Sequence, residues 1–262
     1  MADDLSTETV ELRPNVYQFK FEKPGSHVYL VKGSKKNLLV DTSTTAFYPN
    51  LKTRLRGLGL KPKDIHFVIL THEHFDHIGA APFFFNTSVV AAHRLAANKI
   101  EMQDEFVTMM KYCNISSRPF YADIWLEDGS LIDLGSFKLQ ALHTPGHTSG
   151  CICLYEGREK MLFSGDTVLA GGILCGITTS GNVSDYIGSL QKLSSFKVEH
   201  LFPGHGKTSQ DPEGDILQGL EEARALMEDT KTVFDVLSQK WGRQEMLDRV
   251  FRRLSTGTGK RG

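Results

Sequence analysis

Apolar residues along this chain fall in short runs broken by polar turns, a pattern of strands more than of long helices. Three consecutive strands are predicted over Val10 to Phe21, His27 to Val31 and Asn37 to Asp41, with Lys32-Gly33-Ser34-Lys35 turning the chain between the last two. A helix from about Tyr48 to Leu58 is closed by Gly59, with Pro62 beyond. Phe67-Val68-Ile69-Leu70-Thr71 is an unbroken apolar run and reads as a buried strand, and another strand follows near Val89 to Ala92. Residues 94–121 change character: Met102, Phe106, Met109, Met110 and Tyr112 recur at roughly helical spacing, which predicts a helical insertion. The second half returns to strands at Phe137 to Leu142, Cys151 to Tyr155, Met161 to Phe163 and His200 to Phe202, with a helix around Tyr186 to Leu193. From Asp215 to Leu254 the pattern is helical, with Ile216, Leu217, Leu220, Leu226 and Met227 as its apolar stripe, and residues 255–262 read as a flexible tail. Strands and helices alternating in two halves predict an α/β arrangement of sheets between helical layers, in one domain over 1–254 because no linker divides the chain.

Composition narrows the class. The 262 residues are 40% apolar and 23% charged, as in ordinary globular proteins, and the net charge of -1 argues against a surface built to hold nucleic acid. No stretch approaches the roughly 18 apolar residues of a membrane span. Met1 to Glu8 is acidic and polar, with no basic or apolar leader, so a cytoplasmic location is expected. Four cysteines do not make a disulfide framework; Cys151 and Cys153, two apart in a strand-like run, read as packed core thiols.

The chemistry is concentrated in His72-Glu73-His74-Phe75-Asp76-His77, which directly follows the buried strand ending at Thr71. Three further candidates repeat one grammar: His147, Asp166 and His205 each follow a short apolar run and an immediately preceding glycine (Gly146, Gly165, Gly204). Neutral imidazole and carboxylate suit zinc first, and also iron(II) or manganese(II). His72 and His74, two apart, can face one ion with His147; Asp76, His77 and His205 can face a neighbouring one, and Asp166 has an oxygen for each. Two divalent ions about 3.5–4 Å apart can share a hydroxide and polarise a carbonyl or phosphoryl oxygen. In that scheme Asp76 doubles as a catalytic group that orients the nucleophile or relays a proton.

The segments Thr71-His-Glu-His-Phe-Asp-His-Ile-Gly79, His143-Thr-Pro-Gly-His-Thr148, Phe163-Ser-Gly-Asp-Thr167 and Phe202-Pro-Gly-His-Gly206 resemble the metallo-β-lactamase-fold superfamily, as does Leu38-Leu-Val-Asp-Thr42. The resemblance covers roughly residues 15 to 210. It implies an αββα sandwich of two mixed β-sheets flanked by helices, a site at one sheet edge, and Asp41 as a support behind the ligands. The subgroup resembles glyoxalase II and lactonase hydrolases, so cleavage of an ester, lactone or thioester is expected. Departures accompany it: Thr167-Val-Leu-Ala-Gly-Gly-Ile-Leu-Cys-Gly176 carries neither the arginine usual after this aspartate in glyoxalase II nor the tyrosine usual in acyl-homoserine lactonases.

Rival readings keep the fold: a single-iron persulfide-type dioxygenase using His72, His147 and Asp166, or a metal-dependent phosphodiesterase or nuclease. The substrate is expected to be a small molecule, with an apolar acyl or aromatic part if the 102–120 stretch caps the site. The oligomeric state, a homodimer included, stays open. Glu73 is expected to be solvated, His143 to stabilise the Thr-Pro-Gly turn, His27, His66, His93 and His200 to be structural or superficial, and Phe83 to Phe85 to be core.

Overall fold

The computed structural model describes residues 8–113 and 118–241. The helix expected over 242–254 and the tail at 255–262 lie outside them.

The chain opens with a hairpin, β1 (Thr9–Arg13) and β2 (Val16–Phe19), where the apolar pattern predicts a single strand. Pro14 and Asn15 break it, Asn15 taking the left-handed conformation at φ 67°. β3 (Val28–Lys32) and β4 (Asn37–Val40) continue antiparallel, and α1 (Tyr48–Gly57) then carries the chain to β5 (Phe67–Leu70). A one-turn helix, α2 (Phe75–Ile78), precedes β6 (Val89–His93) and α3 (Arg94–Glu101). The predicted helical insertion is broken: turns run from Met102 to Met109, followed by the short α4 (Met110–Cys113). Two three-residue strands with no clear sequence signal, β7 (Ile124–Leu126) and β8 (Leu131–Asp133), turn the chain from one sheet into the other. β9 (Lys138–His143), β10 (Ile152–Glu156), β11 (Met161–Gly165), α5 (Val183–Leu193), β12 (His200–Pro203) and α6 (Pro212–Trp241) complete the order.

The first sheet runs β1 to β7 in sequence order and the second runs β12-β11-β10-β9-β8. Both are mixed: β1 to β4 pair antiparallel and β4 to β7 parallel, while β8 to β11 pair antiparallel and β11 with β12 parallel. Strand alternation builds the layers. Leu38, Val40 and Ile69 point between the sheets and meet Leu139, Leu154 and Phe163. Leu39, Val68 and Leu70 point outward onto Leu51 and Leu55 of α1 and Ala97 and Ile100 of α3. Leu142, Leu162 and Leu201 cover the opposite face against Tyr186 and Leu190 of α5 and Ile216 and Leu220 of α6. A helix–sheet–sheet–helix sandwich results. β5 reads as a continuous apolar run because it is buried on both faces.

Among the described side chains of α6, Ile216, Leu220 and Ala223 are buried, whereas Leu217 and Leu226, assigned to the stripe by the pattern, are exposed. Of Phe83 to Phe85 only Phe84 is fully buried. Cys151 and Cys153 are buried and unpaired, as packed thiols.

Candidate metal centre

The C-terminal ends of β4, β5, β9, β11 and β12 and the start of β3 meet at one edge of the sandwich. Backbone hydrogen bonds stitch the two sheets there, from Ile152 N to Thr71 O at 2.8 Å and from His27 N to Gly204 O at 2.7 Å. The Tyr29 hydroxyl adds a bond to Pro203 O at 2.6 Å. A rigid frame therefore holds whatever the following turns display.

Those turns bring all seven predicted donors together. His72, His74 and His147 form one group, Asp76, His77 and His205 another, and His72, His77 and Asp166 a third; within each group the donor atoms lie within 4.8 Å of one another. Asp166 reaches both sides: its carboxylate is 3.4 Å from His77 Nε2, 3.7 Å from His147 Nε2 and 3.6 Å from His205 Nε2. Asp76 lies 3.2 Å from His205 Nε2.

Hydrogen bonds on the outer side of the imidazoles fix which nitrogen faces inward. Asp41 accepts from Thr71 N at 2.7 Å, from Thr71 Oγ1 at 2.8 Å and from His77 Nδ1 at 2.8 Å. With its proton given to Asp41, Thr71 Oγ1 accepts from His72 Nδ1 at 3.1 Å. His147 Nδ1 donates to Gly176 O at 2.5 Å. His72, His77 and His147 are thereby held with Nδ1 protonated and the Nε2 lone pair turned to the centre, the form a metal needs. Asp41 itself sits at φ 60°, a conformation rare outside glycine, which aims its carboxylate back at the end of β5.

Two buried donor atoms at the centre have no hydrogen-bond partner, His72 Nε2 and Asp166 Oδ1, and His74 turns its Nδ1 inward to 3.0 Å from His147 Nε2. Orphaned buried polar atoms each cost about 1–3 kcal/mol, so two of them beside a close pair of imidazole nitrogens are a defect in a metal-free protein and a requirement in a metal-binding one. The residues fit a divalent cation. Burial, with the neighbouring His147 imidazole, pushes His74 down to about 3. His72 is driven well down by burial and by His77. Burial opposes a charge on His77, but Asp166, Asp41 and Asp76 outweigh it and raise the group well above the usual imidazole value. Burial likewise opposes ionisation of Asp166, yet the imidazoles, His77 first, hold its carboxyl well below the usual range.

Two supports escaped the sequence. His27, read there as structural or superficial, joins its backbone bond to Gly204 with one from its ring to Gly206 O at 2.8 Å, and so clamps the His205 turn. Ser26 beside it donates to Asp76 O through its hydroxyl at 2.8 Å. Glu73, expected to be solvated, is fully buried and paired with Lys99 at 2.7 Å. It does alternate away from its histidine neighbours, but at a sandwich edge the other side of the strand end is also protein. His143 holds its turn as expected, through Ser149 O at 3.0 Å, and stacks on His93 with centroids 3.8 Å apart.

Comparison with known proteins agrees with this geometry. The family model of the metallo-beta-lactamase superfamily matches residues 23–205. The chain belongs to that superfamily, and it is a metal-dependent hydrolase. It is 32% identical over 213 residues to the acyl-coenzyme A thioesterase MBLAC2 of Gallus gallus, covering 72% of this chain and 76% of that protein. It is 27% identical over 190 residues to a hydroxyacylglutathione hydrolase of Pelagibacter ubique, covering 71% and 69%. Among solved structures, a metallo-beta-lactamase family protein of Thermus thermophilus superposes with a TM-score of 0.70 at 24% identity, over 84% of this chain and 82% of that one, and so shares the fold. No helix among the described residues is long and apolar enough to cross a membrane.

Proposed function

We propose that this protein hydrolyses a thioester, with esters and lactones as chemically related alternatives, using two divalent ions, zinc foremost. His72, His74 and His147 would hold one ion, Asp76, His77 and His205 the other, and Asp166 both. Ions held there supply Lewis-acid chemistry: they lower the proton affinity of water and draw charge from a carbonyl oxygen.

The chain's own residues do the rest. Asp41, Thr71 and Gly176 O keep the histidine lone pairs aimed inward, so no reorientation is needed when substrate arrives. Of the two carboxylates in the centre, Asp76 is the more accessible, with side-chain exposure of 17% against 7% for Asp166. It is the one placed to take a proton from the nucleophile and pass it to the leaving group. Met102, Phe106, Ile173 and Ile177 are exposed on segments tied to ligand-bearing turns, through Thr108 O to Phe75 N and through Gly176 O to His147. They suit an acyl or aromatic group on a small-molecule substrate. The relatives named acyl-coenzyme A thioesterase and hydroxyacylglutathione hydrolase support an acyl group carried on a thiol. Four unpaired cysteines suit a reducing, cytoplasmic compartment.

The observation that carries this reading is the convergence of three donor groups on one buried centre where His72 Nε2 and Asp166 Oδ1 have no hydrogen-bond partner. Its test is metal analysis of the purified protein alongside turnover of an acyl-thioester, a lactone and bis-p-nitrophenyl phosphate. Two zinc per chain and preference for the thioester are expected, and His72→Ala or Asp166→Ala should lose both metal and at least about 10³-fold in rate. One iron per chain, preference for the phosphodiester, or full activity of these variants in metal-free buffer would overturn it.

A further inference from the structure

Glu73 stands between two of the proposed ligands and touches neither ion position. Its carboxylate, wholly shielded from solvent, is instead the hub of a buried polar network. Oε1 accepts from Lys99 Nζ at 2.7 Å and from Ser180 Oγ at 3.1 Å, and Oε2 accepts from Thr148 Oγ1 at 2.9 Å. Lys99 also donates to Ser149 Oγ, Ser149 N donates to Ser180 Oγ at 3.2 Å, and Gly150 N donates to Thr148 Oγ1 at 3.2 Å. Thr178 in turn holds His147 O with both its backbone N–H, at 3.0 Å, and its hydroxyl, at 2.9 Å.

Three separate segments therefore close on one carboxylate: the loop 147–150 that carries His147, the loop 178–181, and α3. They close without slack. A Cβ on Gly150 would come within 2.5 Å of Glu73 Oε2 and 2.7 Å of the Ala96 Cβ, and one on Gly181 within 2.1 Å of Gly146 O and 2.4 Å of His147 O. Because Glu73 shares its backbone with His72 and His74, while Thr148 adjoins His147, the network sets the spacing within one three-histidine group. Asp76 and the His205 turn depend on other contacts, from Ser26 and His27.

We propose that Glu73, through its pair with Lys99, is a positioning residue that sets the His147 loop against the His72–His74 turn and so governs the affinity of one of the two metal ions. The inference rests on the two-ion reading above. Side chains that orient metal ligands typically contribute about 10–100-fold in affinity, and removing one partner of a buried charge pair leaves the other uncompensated.

The test uses the full chain, stripped and titrated with zinc against a chromophoric chelator, with ion stoichiometry from native mass spectrometry and with cobalt(II) absorption as a second readout. The unsubstituted protein should take up two ions. Glu73→Gln and Lys99→Met should weaken one of them by about 10–100-fold and alter one component of the cobalt spectrum, leaving the other ion within about twofold. Lys99→Arg should recover much of the loss. Unchanged affinities, or equal weakening of both ions with a native circular dichroism spectrum, would overturn the positioning role. An unsubstituted protein that binds no ion overturns the functional reading and this inference together. Should Glu73→Gln fail to fold, Ser180→Ala removes a single donor to the same carboxylate and should weaken the same ion about fivefold; no change would overturn the inference.

Discussion

Gly146 makes room for a neighbour that steadies the centre. Its φ of 154° and the 1.7 Å approach that a Cβ would make to Tyr186 Cδ2 leave space for hydrogen alone. Tyr186 is fully buried and donates to Asp166 O at 3.1 Å and Thr167 O at 2.9 Å, so displacing its ring disturbs the backbone beneath the Asp166 carboxylate. Gly146→Ala is expected to lose about 2–3 kcal/mol of stability, read as a lower urea midpoint at unchanged slope. An unchanged midpoint would mean the turn relaxes freely. At this scale the histidines and aspartates that the fold groups together were legible, because each follows an apolar run and sits in a dense or glycine-led turn. Asp41 was legible only through the resemblance. Glu73 was misread, and the particular clamp His27 makes as a structural residue went unseen, because their partners, at Lys99, Thr148 and Ser180 or at Gly204 and Gly206, are remote in the chain and leave no local period.

Elements were legible where a period persisted. β5, α1 and α5 lie where the pattern puts them, within a residue or a few at each end. β7 and β8 are three residues each, too short for any alternation to register. The stretch after α3 reads as helix because its methionines and aromatics are spaced like one, yet Met102 and Phe106 are exposed and the backbone turns instead. In α6 the pattern's Ile216 and Leu220 do face inward, joined by Ala223, while its Leu217 and Leu226 face out. Leu220→Ala should therefore cost about 2–4 kcal/mol, while Leu217→Ala, at a position 53% exposed, should stay within about 0.5 kcal/mol. Chemical denaturation of the pair checks which face is buried; equal losses would contradict it.

For the whole molecule, the αββα class followed from strands and helices alternating in two halves, and the resemblance named its layers. What no pattern could supply is the stitching between the sheets, since Ile152 to Thr71 and His27 to Gly204 are single backbone contacts. With donors drawn from both sheets, bound ions should act as ligands of the folded state only. Stripping with a chelator is expected to lower the melting temperature, and zinc at about a thousandfold excess over its dissociation constant should restore about 4 kcal/mol. Calorimetry showing identical melting with and without zinc would contradict this.

The donors are spread from residue 72 to residue 205, and the last of them follows β12. During synthesis the histidine-rich turn leaves the ribosome well before its opposite numbers have been made. A cation captured then would sit in half a cage, open to water and free to exchange. The full donor set is assembled only once β12 has docked beside β11, so a metal held by all of them would be selected by the finished fold.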